Sequence, residues 1–156
     1  MDAIDRQILT ELQADGRQTN ARLAERLGLS PSATLERVRR LEREGAIRGY
    51  RADVAPEAMG VGFQAFIAAE LNAHSRDHID GFERGIRRVP AVRACYHITG
   101  RFDYLLHVAV HDLEHLGAII KTDIAGIPGV AKLETLLVLT EVMPDHGWPA
   151  PGEEET

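Results

Sequence analysis

The chain has 156 residues, a formal net charge of −6, 44% hydrophobic residues and one cysteine. That length holds one large domain or two small ones, and a lone Cys95 excludes an intramolecular disulfide. No apolar run approaches the ~20 residues of a membrane span, and no basic segment followed by an apolar one opens the chain, so a reduced, cytoplasmic compartment is expected.

Arginine is segregated toward the front. Residues 1–51 hold 10 Arg and 8 Asp/Glu, whereas 52–156 hold 8 Lys or Arg and 16 Asp/Glu. For an anionic partner, that local excess matters more than the acidic total. Asp2 is placed to cap a first helix, in which Ile4, Ile8, Leu9 and Leu12 recur at helical spacing until Asp15-Gly16 stops it. Thr19 or Asn20 caps a short second helix with Ala21, Leu23, Ala24 and Leu27 inward, and Gly28 breaks it. Gly28 and Leu29 alone separate this helix from the next cap, so the pair must cross at a large angle as a helix-turn-helix, with the small Ala24 at the crossing.

The third helix is the stretch 30–45. Ser30 and Pro31 read as its start and Gly45 as its stop, with Leu35, Val38 and Leu41 as its apolar stripe. Opposite lie Ser32, Ala33, Glu36, Arg40 and Arg43, flanked by Arg37 and Arg39. Small residues at the helix end let it approach base edges in a major groove, and guanidinium groups reach bases or phosphates beside it. A solvated amphipathic helix is the bland alternative. The DNA reading requires Arg37 and Arg40 to point away from the protein. Arg17, Asn20 and Arg22, near the start of the second helix, would sit toward phosphates.

Residues 51–62 read as a hinge after the 1–50 domain. An extended piece over 47–54 leads to Pro56, Gly60 and Gly62; Arg48 and Arg51 either extend the basic face as a wing or are solvated. Strand and helix patterns then alternate over 63–143. Phe63, Ala65, Ile67, Ala69 and Leu71 have the period of a strand. Ser75 opens a helix with Ile79, Phe82 and Ile86 buried. Val92, Ala94, Tyr96 and Ile98 form one face of a second strand, and a third covers 104–110. Asp112 caps a helix with Leu113, Leu116, Ile120 and Ile124 inside, and 130–142 is a long last strand. The order βαββαβ predicts an α+β chain whose second domain is a ferredoxin-like sandwich. Its strands are apolar on both faces, with Leu136, Val138 and Val142 opposing Leu133, Leu137 and Leu139. Two helices cover only one face, so a homodimer is expected, and its two-fold suits a palindromic operator. Residues 144–156, with Trp148, read as a disordered acidic tail.

Three strings carry a resemblance: the segment 1–50, CYHITGRFDYLLHV, and IPGVAKLETLLVL. Over about residues 2 to 143 the chain resembles the Lrp/AsnC, or feast/famine, family of transcriptional regulators. The resemblance implies a winged helix-turn-helix joined by a hinge strand to an effector-binding and oligomerisation domain of the RAM or ACT-like kind. Double-stranded DNA and an amino acid bound between dimers are the implied partners, with dimers assembling to tetramers, octamers or larger rings. The implied effector pocket falls on Thr99, Gly100, Arg101, Phe102, Asp103 and Tyr104. Leu113, Asp123, Ala125, Thr135, Leu136 and Leu137 fall where family pocket or response residues lie, a mainly apolar set that suits a hydrophobic or aromatic side chain. Asp103 would accept the ammonium of the amino acid, or is a turn residue bonding its own backbone. Arg101 departs from the family pattern, and either favours a ligand with a second negative group or points to solvent.

Other constellations are weaker. His107 and His111 share a strand side and His111 and His115 straddle a helix cap, but none has the spacing of a zinc helix, so no metal or cofactor is expected. Cys95 has no evident base. The main alternative function is an enzyme, since sirohaem decarboxylases resemble this architecture and use histidines on a tetrapyrrole. An amino-acid-binding regulator of another protein is the third reading.

Overall fold

In the computed structural model, residues 1–145 and 147–149 are described. Residues 1–53, with 143–145 and 147–149, make one compact unit, and Val54–Val142 make another. The part of the expected acidic tail at 146 and 150–156 lies outside the described residues.

The first unit is three helices, α1 (Ala3–Ala14), α2 (Asn20–Leu27) and α3 (Pro31–Arg43). Each start is chemical. Asp2 and Asp5 bond each other's backbone N–H in a reciprocal capping box, Thr19 accepts the Arg22 N–H, and Ser30 accepts the Ala33 N–H at 3.2 Å. Gly28 ends α2 in the left-handed region at φ 66, so α3 can begin almost at once. Ile8, Leu23, Val38 and Leu41 form the core, and Ala24 is buried at the crossing. Ala21 is exposed, against expectation. Thr34 is more deeply buried than Leu35, because a row through positions 34, 38 and 41 faces α1 and α2; its hydroxyl is satisfied by the Ser30 carbonyl at 3.1 Å.

No strand forms over 46–62; the segment 47–54 expected to be extended carries only a 3-10 turn after it, at Pro56–Met59. Trp148 is not free either: its N–H donates to the Gln13 side chain at 2.7 Å and its carbonyl accepts from the same amide at 3.1 Å.

The second unit contains β1 (Phe63–Leu71), α4 (Arg76–Ile86), β2 (Val92–His97), β3 (Tyr104–Val110), α5 (Leu113–Ala118) and β4 (Val130–Leu137). The strands form one antiparallel sheet in the order β2-β3-β1-β4, the ferredoxin-like arrangement. Ala65, Ile67, Ala69 and Leu71 of β1 and alternate β3 residues Tyr104, Leu106, Val108 and Val110 pack on Phe82, Ile86, Leu116, Ile119 and Ile124.

Three details depart from the sequence pattern. A bulge between Val92 and Ala94 reverses the side-chain alternation, so Val92 pairs with the buried Val108 while Ala94 and Tyr96 pair with His107 and Leu105 on the other face. α5 continues as a π-helical turn, Ile119–Ile124, whose extra residue lets Ile119 and Ile124, five positions apart, both face the core; Leu113, expected inside, is exposed at the helix start. β4 stops at Leu137, and Leu139 and Val142, expected within it, are almost fully exposed.

Candidate DNA-binding face and effector site

In the first unit α3 presents Ser32, Ala33, Glu36, Arg39 and Arg43 to solvent. Two expected members of that face turn the other way. Arg37 reaches Asp2 at 2.7 Å and Asp5 at 2.8 Å, and one Arg40 nitrogen lies 2.7 Å from both oxygens of Asp5. Asp5 is 1% exposed, and burial alone would raise its pKa; the Asp2 N–H and the guanidinium groups hold it below the usual carboxylate range instead. Asp2 is held down to about 2, chiefly by Arg37. Arg37 and Arg40 therefore fasten α3 to α1 in place of the expected outward fork, so the reading that put these two on DNA does not hold and a duplex contact falls to the other exposed residues of α3. Ser30 spends its oxygen on the helix cap. Arg17 and Arg22 are exposed and Asn20 half-buried at the head of α2, on the turn side of the unit.

In the second unit the turn 98–103 joins β2 to β3, closed by the Ile98 N–H on the Asp103 carbonyl at 2.8 Å. Gly100 has φ 121 with open space around it, so the turn itself demands glycine there. Thr99 and Arg101 are exposed. Arg101 lies 3.3 Å from Glu134 of β4 and 4.9 Å from the centre of the Phe102 ring, with Lys132 of β4 on that ring at 5.7 Å. Its side chain remains 65% exposed, so it stays largely in solvent beside those two partners. Asp103 is not merely a turn residue bonding its own backbone: Oδ2 accepts the Leu71 N–H at 2.7 Å, and Oδ1 lies 2.7 Å from His74 Nε2. The Leu71 N–H is the main reason its carboxyl sits below the ordinary range.

Tyr104 belongs to the core. It is 1% exposed, its hydroxyl donates to Glu83 at 3.2 Å, and burial with that carboxylate pushes its pKa up to about 12. Leu113, Asp123 and Ala125 are exposed at the two ends of the α5 segment. Thr135 and Leu137 pair with Ile67 and Ala65 on the helix-covered face, whereas Leu136 pairs with Phe66 on the open one, so the three do not line one wall within a chain. Of the expected effector residues the structure gathers Thr99, Gly100, Arg101, Phe102 and Asp103 at one turn, and Lys132, Glu134 and His74, not among those expected, lie beside them. The β1–β4 register, absent from sequence, brings the first two there.

The open sheet face carries Phe66, Leu105, Tyr96 and Leu136, the last two 55% and 52% exposed. His107 stacks on Phe66 at 4.8 Å and bonds Gln64 at 2.9 Å, and burial lowers its pKa. His97 stacks on Tyr104, His78 bonds Ser75, and His111 stacks on His115. Burial pushes the Cys95 thiol up to about 11, the wrong direction for a nucleophile. Among the described residues no helix is long and apolar enough to cross a membrane.

Residues 1–48 match the family described as winged helix-turn-helix DNA-binding, and 64–148 the Lrp/AsnC ligand binding domain. The chain is 39% identical over 142 residues to the leucine-responsive regulatory proteins of Escherichia coli and Salmonella typhimurium, covering 91% of this chain and 87% of theirs. A Neisseria meningitidis transcriptional regulator in complex with L-methionine superposes with a TM-score of 0.89 at 34% identity, covering 96% of each chain. A feast or famine regulatory protein of Mycobacterium tuberculosis, complexed with L-methionine, gives 0.84 at 34% identity over 96% of this chain and 99% of that one. Escherichia coli AsnC gives 0.83 at 28% identity, over 93% and 96%.

Proposed function

Since the chain belongs to the Lrp/AsnC family of DNA-binding transcriptional regulators, we propose that it acts in the cytoplasm as an amino-acid-responsive homo-oligomer on a pseudo-palindromic operator, without a reaction of its own. Three observations support it. α3 offers a small-residue end, Ser32 and Ala33, beside Glu36, Arg39 and Arg43, all exposed. Arg17, Asn20 and Arg22 lie at the head of α2, where a phosphate would fix register. The open face of the sheet exposes Tyr96 and Leu136, and a second copy laid on it would bury them.

The observation that carries the effector part is the Asp103 carboxylate, half-buried at the glycine turn and aimed by the Leu71 N–H. It would take the ammonium of an amino acid, and exposed amides near Gly100 its carboxylate. The relatives named for leucine and solved with L-methionine favour an aliphatic side chain. The effector would bind one assembly state better than another and so reset the spacing of paired α3 helices.

A thermal-shift screen of the twenty L-amino acids, followed by gel-shift on the chain's own upstream DNA with the best ligand at two salt concentrations, tests this. The expected result is ligand-dependent stabilisation that Asp103→Ala abolishes while salt-sensitive DNA binding persists. Stabilisation unchanged in that variant removes Asp103 from the site. A reddish preparation with a Soret band would indicate a tetrapyrrole enzyme instead.

A further inference from the structure

The two oxygens of the Asp103 carboxylate have partners of different kinds. Leu71 is 3% exposed at the end of β1, and its N–H is held in place by the sheet. His74 stands in the connection between β1 and α4 with its side chain 65% exposed, and among the described residues its one hydrogen bond is to Asp103 Oδ1. An amide in a sheet cannot leave without breaking the ladder; an exposed side chain on a connecting segment can swing away at the cost of that one bond. The seat His74 occupies, on a carboxylate whose own side chain is only 19% exposed, is also the seat that an ammonium group would need.

We propose that His74 is an affinity-setting latch: its imidazole fills the ammonium seat on Asp103 and an amino-acid effector must displace it to bind. The inference rests on the reading of Asp103 as the ammonium acceptor and adds the residue that competes for it. Of the side chains near the carboxylate, Tyr104 of β3 is bonded to Glu83 of α4 and His97 of β2 stacks on Tyr104 at 4.7 Å, whereas His74 alone among the described side chains bonds an Asp103 oxygen. The comparison that isolates His74 is therefore the wild-type chain against His74→Ala.

The twenty L-amino acids are titrated singly by calorimetry into full-length wild-type, His74→Ala and Asp103→Asn proteins. Ligand-free melting checks that each variant folds. The expected result is that His74→Ala binds its best ligand roughly threefold to tenfold more tightly than wild type, the span for one competing hydrogen bond removed. Affinity equal to or weaker than wild type overturns the latch and makes His74 an orienting partner of Asp103, with the effector reading intact. Full binding by Asp103→Asn, or no binding of any amino acid by any of the three proteins, overturns the effector reading itself.

Discussion

Asp5 and Thr34 are the polar residues buried in the described structure, and both lie where α3 meets its neighbours. Asp5 accepts from Asp2, Arg37 and Arg40 together, so its removal would leave half of a capping box unmade and Arg40 with only Glu44 at 4.0 Å, while Arg37 keeps Asp2. Asp5→Ala should destabilise the first unit by about 2–4 kcal/mol, read from chemical unfolding. The same carboxylates set an acid limit. Asp2 and Asp5 have folded pKa values below their unfolded ones, so the stability they contribute is present above the usual carboxylate pKa of 3.8 and lost as pH falls from there toward about 2. Melting temperatures recorded down that range should fall more steeply for the wild-type chain than for Asp2→Asn. Arg37 and Arg40 show how residue type and helix face leave a role open: both were legible as cations on α3, but Asp2 and Asp5 stand over thirty positions away and no local pattern links them.

At the scale of elements, α3 keeps two arginines for solvent, Arg39 and Arg43. Arg43→Ala should weaken binding about equally on specific and unrelated duplexes and lower the slope of log affinity against log salt by about 1, which a salt series of gel-shifts would measure. α4 is pressed against the chain before β4 through a missing side chain: a Cβ at Gly85 would stand 2.9 Å from Ile127. Gly85→Val should cost about 1–3 kcal/mol in the second unit by overpacking, checked by thermal unfolding. Element existence and caps were readable because they depend on residues three or four apart. The bulge in β2 and the π-helical turn after α5 were not, since each inserts one residue into a regular period and leaves the composition unchanged.

For the molecule, the decisive surface is the open face of the sheet. Tyr96 and Leu136 are its most exposed large apolar side chains, and the proposed pairing of two copies there predicts that Tyr96→Asp with Leu136→Asp lowers the mass seen in light scattering while the far-ultraviolet spectrum is kept. Unchanged mass would move the interface elsewhere. By itself the sequence determined the two-part organisation, the caps at Asp2, Ser30 and Asp112, the βαββαβ order and the glycine turn before Asp103, because periodicity, capping chemistry and left-handed backbone are properties of neighbours along the chain. Tertiary structure alone decided that Arg37 and Arg40 turn to α1, that Tyr104 is core, and that Lys132, Glu134 and His74 join Arg101, Phe102 and Asp103 at one turn. Those contacts follow from strand register and helix packing, which bring together charges far apart along the chain, and charge pairs do not choose partners by sequence distance.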